Sequence, residues 1–347
     1  MNIFTLDVGT GTQDFFLYNS EENLRNCIKM VLPSPTKLVA RKVKECTLNG
    51  QDIFFSGYTM GGGPVTRAAM DHLRAGLNVY AQEKAALTFS DNLDKVRNTG
   101  VQLVDSVADL DAHEIELKDV DLHFFRHLLD ELNDRADIYL IAVQDHGFSP
   151  HESNRKFRFK TFKKIVEQSG YIHSFLFPSS QVPSDFNRMS SVTESLKNEG
   201  VDIKDVFLMD TVFAAIAGCM LDVKEFPALL INFGNSHTVG AVVDNDGLIH
   251  SLFEHHTRIL REKGEDGIES FINSFIKGEI SNKDVFNDGG HGAYIRDVVE
   301  VKDSAITGPN MHLSSRRPAN PTGDVMITGN LGLVHSYLGD KLDLNFS

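Results

Sequence analysis

The chain has 347 residues, 41% of them hydrophobic and 24% charged, with a formal net charge of −14. This is the composition of a globular protein long enough for two domains, and its acidity excludes nucleic acid as the main partner, because phosphate binding needs a basic face. No apolar run approaches the roughly 18 residues of a membrane span, no signal peptide opens the chain, and Cys27, Cys46 and Cys219 are too scattered for a disulfide framework, so a cytoplasmic protein is expected.

In chain order, "IFTLD", "DFFLY" and "CIKMVL" read as strands, and "PSPT" reads as the stop that ends this meander. Residues from about 50 to 135 read as an elaboration. They carry the Gly-rich "GYTMGGGP", a helix in "VTRAAMDHLRAG", short strands "NVYA" and "VQLV", and an amphipathic "LHFFRHLLDEL". Strand and helix then alternate through "DIYLIAV", "FKTFKKIVEQSG", "IHSFLF", "RMSSVTESLKNEG", "DVFLMD" and "TVFAAIAGCML", the pattern of an α/β unit with a largely parallel portion. A second start follows. "ALLINFGNSHTVGAVVDNDGLIHSLF" reads as strand, turn, strand, an Asn-Asp-Gly turn and strand; then come a helix "GIESFINSFIKG", an irregular stretch, and a strand, Gly turn and helix in "DVMITGNLGLVHSYLGDKL".

The two starts echo one another. Leu6, Asp7, Val8 and Gly9 fall on Ile231, Asn232, Phe233 and Gly234, and Thr10, Gly11 and Thr12 then meet Asn235, Ser236 and His237. A hairpin turn rich in Gly, Thr and Ser exposes N–H groups and hydroxyls that together suit an anion. Two such turns from opposed units would clasp a polyphosphate, and the carboxylate of Asp7, a hard oxygen ligand, would meet a Mg²⁺ ion there.

With "LDVGTGTQD" as first phosphate motif, "INFGNSHTVG" as second, "MDTVFAAIAGCM" as connecting helix and "VMITGNLGLV" as adenosine motif, the chain resembles the actin-like ATPase superfamily of sugar kinases, Hsp70 chaperones and actin. That resemblance implies an α/β fold of two ribonuclease-H-like domains facing a central cleft, residues 1–222 and 223–347, with the α/β insertion at about 50–135 in the first. It implies ATP and Mg²⁺ as cofactors. The nucleotide contacts it implies are Asp7, Gly9, Thr10, Gly11, Thr12, Gln13, Gly234, Asn235, Ser236, His237, Thr238, Gly329, Asn330 and Gly332, with Asp7 and Asp210 holding Mg²⁺ through water. Asn232 stands where the superfamily usually has Asp, which removes one charge from the metal's surroundings. Over the whole chain, "DVGTGTQD", "LPSPT", "QDHG", "FEHHT", "DGGHGA" and "TGNLGL" resemble a prokaryotic family of unknown function, sometimes labelled pyruvate formate-lyase activating protein-like. Radical activating enzymes hold an iron–sulfur cluster through closely spaced cysteines, and the cysteines here do not follow that spacing.

Other constellations carry chemistry of their own. Asp145 and His146 in "QDHG" follow a buried strand, where the carboxyl ends of strands line a ligand crevice; Asp145 is the expected base that activates the acceptor, while a helix-entry loop is the competing reading. The basic run "NRKFRFKTFKK" reads as a solvated helix face, with Arg155 and Arg158 able to meet an anionic substrate. Glu254 and His256 share one face of a strand end, and with Asp288 and His291 they compose a candidate transition-metal set. The loop "GYTMGGGP" suits either an anion or a flexible connection, with Pro64 at the first position of a helix. The favoured function is an ATP-dependent phosphotransferase acting on a small-molecule acceptor. A regulatory ATPase acting on a partner protein, a metal-dependent hydrolase and a non-catalytic binding protein stay open beside it.

Overall fold

The computed structural model describes residues 1–108 and 111–342. The chain begins with the meander β1 (Asn2–Val8), β2 (Thr12–Asn19) and β3 (Ile28–Pro33). There follow α1 (Pro35–Leu48), β4 (Asp52–Gly57), α2 (Pro64–Arg74), β5 (Val79–Ala81), α3 (Glu83–Ala86), α4 (Leu93–Asn98), β6 (Gln102–Leu103), β7 (Ala112–Leu117) and α5 (Leu122–Glu131). The alternating stretch holds β8 (Ile138–Val143), α6 (Asn154–Gln168), β9 (Phe177–Pro178), α7 (Asn187–Asn198), β10 (Val206–Met209) and α8 (Thr211–Met220). The last part comprises β11 (Ala228–Phe233), β12 (His237–Val243), β13 (Ile249–His256), α9 (Thr257–Ile276), α10 (Asn282–Asn287), β14 (Gly292–Ile295), β15 (Asp303–Thr307) and α11 (Thr328–Leu338).

These strands make a mixed α/β protein with three sheets among the described residues. The first runs β3-β2-β1-β8-β10-β9, with β2 antiparallel to β1 and β8 parallel to it. The second runs β14-β13-β12-β11-β15, with β12 antiparallel to β11 and β15 parallel to it. In both, the first strand of a meander lies between its hairpin partner and a later parallel strand, so the β-turn-β unit that echoes in the sequence recurs with its neighbours. The third sheet, β6-β5-β4-β7, is wholly parallel and has its own core around Val43, Phe55, Val79 and Ile115.

β1, β8, β11 and β12 are buried on both faces and read as continuous apolar runs, as strands covered by helices must. α8 is buried nearly all round and crosses α11 at very close range. A Cβ on Gly332 would collide with the Ala214 carbonyl, and one on Gly218 with the Thr328 carbonyl. This crossing overturns the strand-and-turn reading of "VMITGN": Val325–Ile327 is a 3-10 turn, and Gly329, Asn330 and Gly332 lie inside α11. Glycine marks a turn when the backbone needs positive φ, but here it marks the place where two helix backbones touch.

Other differences have similar causes. "PSPT" ends the meander at Pro33 and also opens α1, with Pro35 in the first helical turn and Val39, Val43 and Cys46 on the buried side. "IHSFLF" forms a 3-10 turn whose Phe175 stacks on Phe213 of α8, and only Phe177–Pro178 pairs as a strand. α9 starts ten residues before the expected "GIESFINSFIKG", at Thr257, and is interrupted at Gly264 (φ 69°). β15, the parallel strand of the second sheet, lies in the stretch read as irregular.

Candidate functional site

Both echoing turns close in the same way. The Gly9 N–H donates to the Thr12 carbonyl at 2.9 Å, and the Gly234 N–H donates to the His237 carbonyl at 3.0 Å. A Cβ on Gly234 would come within 2.6 Å of that same carbonyl, so glycine is required by the tightness of the bend. The Gly234 turn is braced from behind, where Thr257 Oγ1 and Asn310 Nδ2 donate to the Gly234 carbonyl.

The turns face one another across a cavity of about 510 Å³ lined by Thr10, Gly11, Thr12, Asn235 and Ser236. Their tips nearly touch: a Cβ on Gly11 would stand 2.8 Å from Asn235 Nδ2 and 4.0 Å from Lys37 Nζ. One wall is apolar, made by Val212, Ala215, Pro309, Met311 and Met326. On the floor lie Asp7 and Asp14, cross-strand neighbours in the β1–β2 register. Each has a carboxylate oxygen, Oδ1, that is buried and without a hydrogen-bond partner. Burial raises the Asp7 carboxyl well above its ordinary range, helped by the nearby Asp14 and Asp210. Burial likewise pushes Asp14 from 3.8 to about 7. Two half-buried carboxylates in one cavity, each with a buried oxygen left unsatisfied, are a donor set that a hard divalent cation fits.

A second cavity, of about 430 Å³, adjoins the first, and Gly9, Thr10, Gln144, Ser236 and His237 line both. Its walls include Gly61, Gly62 and Gly63 of the Gly-rich loop, with Asp91, Asp119 and Arg188. Arg188 donates to both oxygens of Asp119 (2.7 and 2.9 Å) and to the Gln144 carbonyl (2.7 Å), which ties α7 to the end of β8. Asp145 and His146 line this cavity too, but differently. The Asp145 carboxylate is 1% exposed and accepts the N–H groups of Gly147 and Met189, both at 2.9 Å, so it fixes the loop. Burial nonetheless pushes its carboxyl up to about 6. His146 is the exposed member of the pair, with its ring near Gln144 and His237.

Several expected contacts face into the protein instead. Gln13 donates to the Pro33 carbonyl, Thr238 bonds Thr257 at the start of α9, and Asn330 donates to Thr5 Oγ1 and the Asp14 carbonyl. Gly332 belongs to the α8–α11 crossing, whereas Gly329 does line the first cavity, beside Asp7. Asp210 caps α8 and is held by Arg158, whose Nη1 and Nη2 donate to its two oxygens at 2.6 and 3.1 Å. Asp210 is thus paired with a guanidinium and does not line the first cavity, whereas Asp14, the cross-strand neighbour of Asp7, does.

Arg158 itself is fully buried and also donates from Nε to Glu254 at 2.8 Å. The signal for it was in the sequence: Arg158, Phe162 and Val166 recur every fourth residue on the buried stripe of α6. The proposed Glu254, His256, Asp288, His291 set does not assemble. Asp288 lies on the other side of the strand, bonded to His255 (3.0 Å) and Lys263 (2.9 Å). The residues that do converge are His237, His256 and His291.

Among the described residues no helix is long and apolar enough to cross a membrane, and the free cysteines Cys27, Cys46 and Cys219 are all buried. The profile of a family described as "Putative pyruvate format-lyase activating enzyme (DUF1786)" matches residues 60–313. The cysteines do not fit the iron–sulfur cluster that description suggests, since none joins a convergent ligand set among the described residues. No curated protein matches the chain. Solved structures similar to it include an exopolyphosphatase-like protein (8% identity, TM-score 0.31, covering 88% of this chain and 66% of that one). Another is an exopolyphosphatase from Cytophaga hutchinsonii (13% identity, TM-score 0.28, 74% of this chain and 50% of that one). The chain therefore spans 66% and 50% of the length of these structures.

Proposed function

This chain belongs to the family described as putative pyruvate format-lyase activating enzyme (DUF1786), and from that premise we propose that it is a nucleotide-binding protein of the actin-like ATPase superfamily that transfers a phosphoryl group from MgATP to a small acceptor. The observation that carries this reading is the pair of turns. Gly9–Thr12 and Gly234–His237 are each closed by the same type of hydrogen bond, sit in sheets of matching strand order, and face one cavity. Two independent hairpins have no packing reason to aim exposed hydroxyls and N–H groups at each other; an anion between them supplies one.

Within this reading the chain's residues divide by chemistry. The turn residues Thr10, Gly11, Thr12, Asn235 and Ser236 donate to phosphate oxygens, and Lys37 adds a positive charge at the first turn. Asp7 and Asp14 hold Mg²⁺. The apolar wall of Val212, Met311 and Met326 takes the base. MgATP supplies the transferable phosphoryl group, and catalysis of such transfers is mostly positioning and charge neutralisation. The adjoining cavity takes the acceptor. There His146 is the exposed side chain that meets the acceptor, and Asp145 is the positioning residue that fixes its loop.

The test is calorimetric titration of the purified chain with MgATP, ATP without metal, and MgGTP, repeated on Thr10→Val and Ser236→Ala. MgATP is expected to bind the natural chain, with at least tenfold weaker binding in each variant. Undiminished binding in both variants, or no binding to the natural chain, overturns the reading.

A further inference from the structure

We propose that His237, His256 and His291 form a binding site for a transition-metal ion of the zinc class, open toward the cavity that His146 lines. The ligand-capable atoms of the three side chains lie within 4.8 Å of one another. Their ring centroids are 5.0, 4.6 and 4.8 Å apart. A tetrahedral zinc with imidazole ligands at its usual bond length separates neighbouring nitrogens by about 3.3 Å, so small side-chain rotations close the set.

The sheet builds this convergence. His237 opens β12 and His256 closes β13, and the two are direct cross-strand partners. His291 precedes β14, and its backbone N–H donates to the Glu254 carbonyl at 2.9 Å, locking it beside the same strand end. Three adjacent strand ends thus deliver three imidazoles to one point. His255, one residue earlier than His256, faces the opposite side and pairs with Asp288, as strand alternation requires.

The surroundings also orient these rings. Glu254 Oε2 lies 3.2 Å from His291 Nδ1, and neither atom has a completed hydrogen bond among the described residues. A carboxylate beside one ring nitrogen, leaving the other free, is the arrangement that orients metal-bound histidines. Three neutral imidazoles without a thiolate suit zinc, and Co²⁺ can take the same place. His237 and His256 line the cavity, so the remaining coordination position faces it and accepts a water or an anionic oxygen of a cleft ligand.

The test strips metal from the purified full chain with a chelator and titrates it with Co²⁺, then with Zn²⁺ as competitor. One equivalent of Co²⁺ is expected, with visible ligand-field bands that Zn²⁺ abolishes and no thiolate charge-transfer band. His256→Gln and His291→Gln, checked for native thermal unfolding, should each weaken Co²⁺ binding at least tenfold. A natural chain that takes up no Co²⁺ tightly, a spectrum with thiolate character, or folded variants that bind Co²⁺ unchanged overturns the proposal. Neither variant residue lines the nucleotide cavity, so MgATP binding measured on the same samples tests the phosphotransferase reading separately.

Discussion

Asp7 and Asp14 stand directly opposite one another on β1 and β2, each with a buried carboxylate oxygen that nothing in the protein satisfies. The Asp14 carboxyl titrates at about 7 in the folded chain against 3.8 ordinarily, so between those values the folded state binds a proton that the unfolded state has released. Stability contributed by the protonated form is complete below 3.8 and is lost as pH rises toward about 7. Without cations, the melting temperature is therefore expected to fall across this window. Mg²⁺ competes with that proton and should raise the melting temperature more at pH 8 than at pH 5. Asp14→Asn should stabilise the cation-free chain at pH 8 by about 1–3 kcal/mol, the scale of an unsatisfied buried polar group, and erase most of the Mg²⁺ effect. A Mg²⁺ shift in thermal unfolding that ignores pH would contradict this.

Arg158 holds Asp210 and Glu254 together in a fully buried triad. Replacing it with Met leaves two carboxylates facing each other without a counter-charge, expected to cost about 3–5 kcal/mol in urea unfolding at neutral pH. Arg158→Lys should recover little, because an ammonium cannot reproduce the fork that meets both Asp210 oxygens. A fully stable Met variant would show that the triad is dispensable.

The α8–α11 crossing leaves no room for a side chain at Gly218 or Gly332. Each change to Ala pushes the helix backbones apart and should destabilise by about 1–3 kcal/mol, the usual cost of overpacking. Because either methyl opens the same gap, the double variant should lose less than the sum of the two. Strict additivity in a double-mutant cycle would mean that the two contacts relax independently.

Asp288 bonds His255 and Lys263 at a half-exposed position away from the three converging histidines. Asp288→Asn should leave Co²⁺ binding unchanged and alter stability by less than about 1 kcal/mol, as is usual for exposed ion pairs. Lost Co²⁺ binding in this variant would restore Asp288 as a ligand.

The sequence by itself determined the local units. Short apolar runs marked β1, β2 and β8, helical spacing marked α2, α5 and α7, and the Gly9–Gly234 echo marked two bends of one kind. Each of these is written in neighbours along the chain, where turn chemistry and hydrophobic period act. Tertiary structure alone decided what those units meet. Gly332 reads as a turn residue until α8 lies against it, Arg158 as a solvated base until Asp210 and Glu254 close over it, and His237 as part of a phosphate turn until β13 and β14 bring His256 and His291 beside it. The physical reason is common to all three: close approach, charge pairing and ligand convergence depend on distances between residues far apart in the chain, and no spacing in the sequence encodes those distances.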